Sequence, residues 1–163
     1  DGAALLFKNI KTKLTTQEKN NLFQSLELHL SPDKKSFVSA EIPVEVSLYP
    51  TDMNKDGLEE IFIVLSSVQL FGNAGQSFFV YIKNKKGVYM QHGDTGPGSP
   101  LILSTKNFGY PDILVGGPGF TFPVYKWNGN DYVYHRKMKD AALNSRNATD
   151  IATYSKRYTD AKN

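Results

Sequence analysis

Along the chain, the spacing of apolar residues passes from a helical period to a strand period and back. Leu22, Phe23 and Leu26 fall on one helical face. Thr15-Thr16-Gln17-Glu18 just before them can form a capping box, in which the Thr15 side chain accepts from the Glu18 N–H and the Glu18 side chain accepts in return. The spacing predicts an amphipathic helix of about three turns inside an N-terminal helical segment, residues 14–30. Ser31-Pro32-Asp33-Lys34 breaks it. Val44-Glu45-Val46-Ser47-Leu48 then alternates as a half-buried strand does, bracketed by Pro43 and Pro50. Ile61-Phe62-Ile63-Val64-Leu65 is apolar at every position, which predicts a strand covered on both faces and central in its sheet.

Further strands follow at short intervals. Ser77 to Ile82, the turn Asn84-Lys85-Lys86-Gly87 and Val88-Tyr89-Met90 read as a hairpin. Gly72-Asn73-Ala74-Gly75 is a turn, and His92 to Pro100 is too rich in Gly and Pro for regular structure. Leu101-Ile102-Leu103 and Ile113-Leu114-Val115 are short strands, and Pro123–Trp127 with Tyr132–His135 forms an aromatic hairpin around Asn128-Gly129-Asn130-Asp131. From Asp140 the chain is polar, with a thin stripe of Ile151, Tyr154 and Tyr158 at helical spacing. The expectation is one α+β domain over residues 1–163. It has a mainly antiparallel sheet of about six or seven strands in the β body, residues 42–135, an N-terminal helix, and a C-terminal helical tail at 140–163.

Composition narrows the classes. At 163 residues the chain is long enough to bury a core as one domain. The net charge of +3 is too small to imply nucleic acid, but it is uneven: seven Lys/Arg against three Asp/Glu from His135 onward. With no cysteine there is neither a disulfide framework nor a thiol nucleophile. No stretch approaches the ~20 apolar residues of a membrane-spanning helix. The chain opens on Asp1-Gly2 without an initiator Met, which fits a processed or truncated chain whose signal segment is absent.

The most specific chemistry lies in Asp52-Met53-Asn54-Lys55-Asp56-Gly57-Leu58-Glu59-Glu60, immediately before the all-apolar strand. Asp52, Asn54 and Asp56 alternate, so a curled backbone can aim three hard oxygens at one point, as calcium requires. Gly57 permits the sharp turn. The backbone carbonyl of Leu58 and the carboxylate of Glu60 complete the expected ligand set for a structural Ca2+. An EF-hand would close with a glutamate at the twelfth position, where Ile63 stands. The same residues also suit a metal-free hairpin turn, and that alternative stays open.

This D-x-N-x-D-G-x-x-E loop resembles those of FG-GAP and VCBS-type repeats, which lead into a strand. A wider stretch, from Leu14 to His135, is similar to a group of small exported proteins and lipoproteins of Gram-negative bacteria. It includes Val-Glu-Val-Ser-Leu-Tyr-Pro-Thr-Asp-Met-Asn-Lys-Asp-Gly, Gly-Tyr-Pro-Asp-Ile-Leu-Val-Gly-Gly-Pro-Gly and Val-Tyr-Lys-Trp-Asn-Gly-Asn-Asp-Tyr-Val. The resemblance implies a calcium-type loop and a periplasmic or secreted location, with lipid anchoring of a full-length precursor as one form of it, and it supplies no reaction.

Catalytic signatures are absent. His29, His92 and His135 have no paired metal-ligand spacing, and neither a nucleophile elbow nor a phosphate-binding loop occurs. His92 with Asp94, Ser99 and Asp112 could imitate a hydrolase constellation, but such residues in a Gly/Pro loop are more often turn formers. Phe120 and Phe122, after Gly116-Gly117-Pro118-Gly119, could be presented to a partner. Trp127 could stack on sugar, or these rings could all fold into the core. The expectation is a non-enzymatic, exported calcium-binding domain that binds a protein partner, such as an inhibitor or immunity protein against a cell-wall-degrading enzyme. A carbohydrate- or peptidoglycan-binding module and an envelope hydrolase are the alternatives.

Overall fold

The computed structural model describes residues 1–161. In chain order the elements are α1 (Gly2–Leu6), α2 (Thr16–Ser25), β1 (His29–Leu30), β2 (Phe37–Ser39), β3 (Ile42–Thr51), β4 (Glu60–Ser66), α3 (Val68–Phe71) and a 3-10 turn at Gly72–Ala74. They continue with β5 (Gln76–Lys83), β6 (Tyr89–His92), β7 (Ser99–Asn107), β8 (Tyr110–Gly116), β9 (Thr121–Trp127), β10 (Tyr132–Lys139), a 3-10 turn at Asp140–Ala142, β11 (Ala148–Asp150) and α4 (Ile151–Ala161). The protein is therefore α+β, mostly antiparallel sheet, with helices at both ends of the chain.

The strands form two sheets, ordered β1-β2-β3-β4-β5-β6 and β10-β9-β8-β7-β11. The Gly/Pro loop after His92 carries the chain from the first sheet to the second. Alternation along β4 sends Ile61, Ile63 and Leu65 into one cluster, with Leu48 and Tyr81 of the sheet and Leu6, Phe7, Leu14 and Leu22 of the helical layer. Phe62 and Val64 point the other way, into a cluster where Phe78 and Val80 meet Ile113, Val115 and Trp127 of the second sheet. β4 is thus covered on both faces, as its unbroken apolar run predicts. A third, smaller cluster of Leu103, Leu114, Phe122 and Val124 lies on the far face of the second sheet, under Met138 and Leu143.

The expected N-terminal segment 14–30 is shorter as a helix than predicted: α2 ends at Ser25, and His29–Leu30 pairs with β2. Its capping box is present as read, with Glu18 N–H donating to Thr15 Oγ1 at 3.1 Å and Thr15 N–H to Glu18 Oε1 at 3.1 Å. The preceding helix α1 packs so closely on α2 that a Cβ on Gly2 would lie 2.2 Å from the Phe23 ring. The C-terminal tail begins with a 3-10 turn and a strand before α4, and its last residues, 162 and 163, lie outside the described residues. Helix α4 buries Ile151 in the intersheet cluster and anchors on β3, where the Ser155 hydroxyl donates to the Pro50 carbonyl at 2.7 Å.

Candidate metal centre

β3 and β4 are paired from Glu45↔Ser66 to Thr51↔Glu60, so the residues between Thr51 and Glu60 form the loop of that hairpin. Its acidic side chains curl it. Asp52 accepts the Asp56 N–H through Oδ1 at 3.1 Å and the Gly57 N–H through Oδ2 at 2.9 Å, and Asp56 Oδ1 accepts the Leu58 N–H at 2.8 Å. Lys55 and Gly57 take left-handed φ angles of 57° and 83°. Gly57 does so without strain, whereas a side chain at that φ is disfavoured whatever space surrounds it.

One carboxylate oxygen from each of Asp52, Asp56 and Glu60 lies within 4.8 Å of the others. Asn54 donates through Nδ2 to Asp56 Oδ2 at 3.1 Å, while its Oδ1 is buried with no hydrogen-bond donor among the described residues. A buried acceptor without a donor is costly in a protein interior. Leu58 is held through its N–H, and its side chain is half exposed. The structure therefore brings the side chains of Asp52, Asn54, Asp56 and Glu60 together. All the donors are hard oxygens, which suit Ca2+, Mg2+ or Mn2+ and do not suit metals that prefer nitrogen or sulfur.

Glu60 is the buried member. Its Oε1 accepts the Met53 N–H at 2.5 Å and the Thr51 hydroxyl at 3.4 Å. Burial, and after it the charges of Asp52 and Asp56, push its carboxyl up to about 8, against the lowering effect of the Met53 hydrogen bond. A carboxyl whose folded pKa lies above its unfolded value near 4.5 holds its proton longer in the folded state. The metal-free protein is therefore expected to be most stable below about pH 4.5 with respect to this group, and to lose that contribution as pH rises toward 8. A bound cation would replace the proton and flatten the dependence. Chemical denaturation across this range, with chelator and with calcium, checks it; parallel profiles would count against the coupling.

The neighbouring glutamate, Glu59, lies outside the expected ligand set and has a different role. Because side chains alternate along an extended chain, Glu59 and Glu60 turn to opposite sides. Glu59 is 2% exposed and accepts the Thr12 hydroxyl at 2.6 Å and the Lys13 N–H at 2.8 Å on Oε1, and the Tyr158 hydroxyl at 2.7 Å on Oε2. Its own carbonyl accepts from the Tyr89 hydroxyl at 2.8 Å. Burial, then the bond to Glu59, holds the Tyr158 phenol above its ordinary value. The only sequence signal was two adjacent glutamates ahead of an apolar strand, which does not say what the first one faces.

The aromatic residues expected at a partner surface divide. Phe120 is 85% exposed, just ahead of β9. Phe122 and Trp127 do not lie at a partner surface: both are only 7% exposed, because each joins a core cluster on one face of the second sheet. Phe122 joins the outer cluster, and the Trp127 ring sits 5.1 Å from His92, 4.9 Å from Tyr110 and 5.3 Å from Tyr132. Neither ring face is open for stacking on a sugar. His92 Nδ1 meets Asp131 Oδ1 at 2.7 Å, so its partner is none of Asp94, Ser99 and Asp112. Asp112 is buried and accepts from Thr105 and Asn107 across the β7–β8 hairpin. No helix among the described residues is long and apolar enough to cross a membrane.

No family model matches the chain, and neither a curated protein nor a solved structure matches it. The reading of the loop therefore rests on its own donors and spacing.

Proposed function

We propose that the protein is an exported, calcium-braced module that binds a protein partner rather than turning over a substrate. The observation that carries the metal is the convergence of Asp52, Asp56 and Glu60 within 4.8 Å. The buried Asn54 Oδ1, which has no donor among the described residues, supports it. The ion would hold the loop closed at the entry to the central strand and neutralise three clustered carboxylates. An exported location fits this reading, because a calcium site in the weak range of extracellular modules, about 10⁻⁴–10⁻³ M, fills only where calcium is abundant. Partner binding is supported by Phe120, an exposed ring on a short loop. An inhibitor or immunity role against a cell-wall-degrading enzyme is one form that such partner binding would take. A sugar-binding role has less support because Trp127 is buried.

Titration calorimetry with calcium, on the wild-type protein and on Asp52→Ala, tests the metal. Saturable heat for the first and none for the second is expected; no heat with either would remove the ion from the proposal. Purified peptidoglycan hydrolases assayed with and without the protein test the inhibitory role. Unchanged lysis across several enzyme classes would overturn it.

A further inference from the structure

β10 is an edge strand: it pairs with β9 on one side, and no strand among the described residues pairs with the other. Eight residues long, it therefore presents backbone donors and acceptors to whatever lies alongside. Its side chains are one-sided in charge. The strand contains His135, Arg136, Lys137 and Lys139 and no Asp or Glu, and β9 beside it contributes Lys126 and likewise no acid. Among the described residues none of these Lys and Arg side chains forms an ion pair.

A register shift arranges them. Tyr134 lies opposite Tyr125, but Arg136 lies opposite Val124, so His135 is an extra residue in the strand. The bulge reverses the phase. Lys137, opposite Pro123, and Lys139, opposite Thr121, consequently share the face of Tyr134 and Tyr125, whose rings meet edge-on at 6.1 Å. Met138 and Arg136 turn to the other face, where Met138 packs on the outer cluster. The result is an open strand edge bordered by a half-exposed tyrosine and two exposed lysines.

From this we infer that β10 is the docking edge for an extended, acidic segment of a protein partner, which adds to the second sheet as a further strand. Main-chain hydrogen bonds would supply affinity, and alternate carboxylates facing Lys137 and Lys139 would supply selectivity. The same charges oppose pairing with a second copy, since two β10 edges would bring lysines and arginines together. A lipid surface or a nucleic acid would use the charge but leave the strand's backbone groups unmatched, so the open edge favours a peptide. The inference rests on the proposed partner-binding role and is independent of the calcium loop.

The test uses a fluorescent peptide of alternating Glu and Val, a copy methylated on every second backbone nitrogen, and vesicles of phosphatidylcholine with phosphatidylserine. Wild-type protein is expected to bind the unmethylated peptide and not the methylated one. The Lys137→Glu/Lys139→Glu variant should bind it about tenfold more weakly, as reversal of two rim charges implies. Equal binding of both peptides would reduce the edge to a charged patch and overturn strand addition. Undiminished binding by the variant, or capture by vesicles with the peptide inert, would overturn it as well. The methylated copy keeps the test decisive even if the variant folds poorly. Each titration is run in calcium and in chelator: peptide binding lost with calcium heat intact removes the docking edge alone, and the reverse removes the metal alone.

Discussion

Glu59→Ala is expected to cost about 3–5 kcal/mol of unfolding free energy, less than the sum of three hydrogen bonds to a carboxylate at about 1.5–3 kcal/mol each, because deleting the buried charge also removes its desolvation cost. The side chain joins its own loop to two parts of the chain that are distant in sequence: Thr12 and Lys13 ahead of α2, and Tyr158 in α4. Alanine would leave those donors facing a void, and an unmatched buried donor costs about 1–3 kcal/mol by itself. Glu59→Gln separates shape from charge. Its carbonyl can still accept from Thr12 and Lys13, and its amide can donate to the Tyr158 oxygen, so a loss well below that of alanine is expected. Urea denaturation of both variants decides the matter. A loss under about 1 kcal/mol for alanine would mean that the three segments are held by packing without this carboxylate.

Calcium removal should give the next largest effect. At a calcium concentration about a hundredfold above the dissociation constant, linkage adds about 2.7 kcal/mol to the folded state. For a domain of this size that corresponds to a rise in Tm of roughly 5–10 °C. Asp52→Ala should abolish the response, because Asp52 is both a proposed ligand and the acceptor that curls the loop through the Asp56 and Gly57 N–H groups. Asn54→Ala removes an oxygen without touching those two bonds and should weaken the response while leaving the metal-free melt near that of the wild type. Melts that ignore calcium and chelator alike would make the loop a turn braced by its own hydrogen bonds.

What could be read from the sequence was local. The capping box at Thr15 and Glu18, the two-faced burial of Ile61–Leu65 and the alternating donors of Asp52, Asn54 and Asp56 each depend on residues a few positions apart. What could not be read depends on distant partners. Strand signals do not say which strands pair, so the division into two sheets at the Gly/Pro loop was not visible. Trp127 looks like a binding ring while its hairpin is considered alone; the first sheet and His92 cover it. Helix α1 is too short to form by propensity, and it persists by packing Gly2 against Phe23. Glu59 belongs with these cases, since its role is set by Thr12 and Tyr158.

β4 contributes Ile61, Ile63 and Leu65 to one cluster and Phe62 and Val64 to another. Neither the helical layer nor the second sheet can therefore come away without exposing half of the same strand. Opening becomes a shared event, and the two layers should not unfold as separate units. Amide exchange by β4 should be the slowest in the molecule and should proceed only through global unfolding, at the free energy measured for the whole domain. Faster exchange there than in β8 would show that the layers part before the domain does.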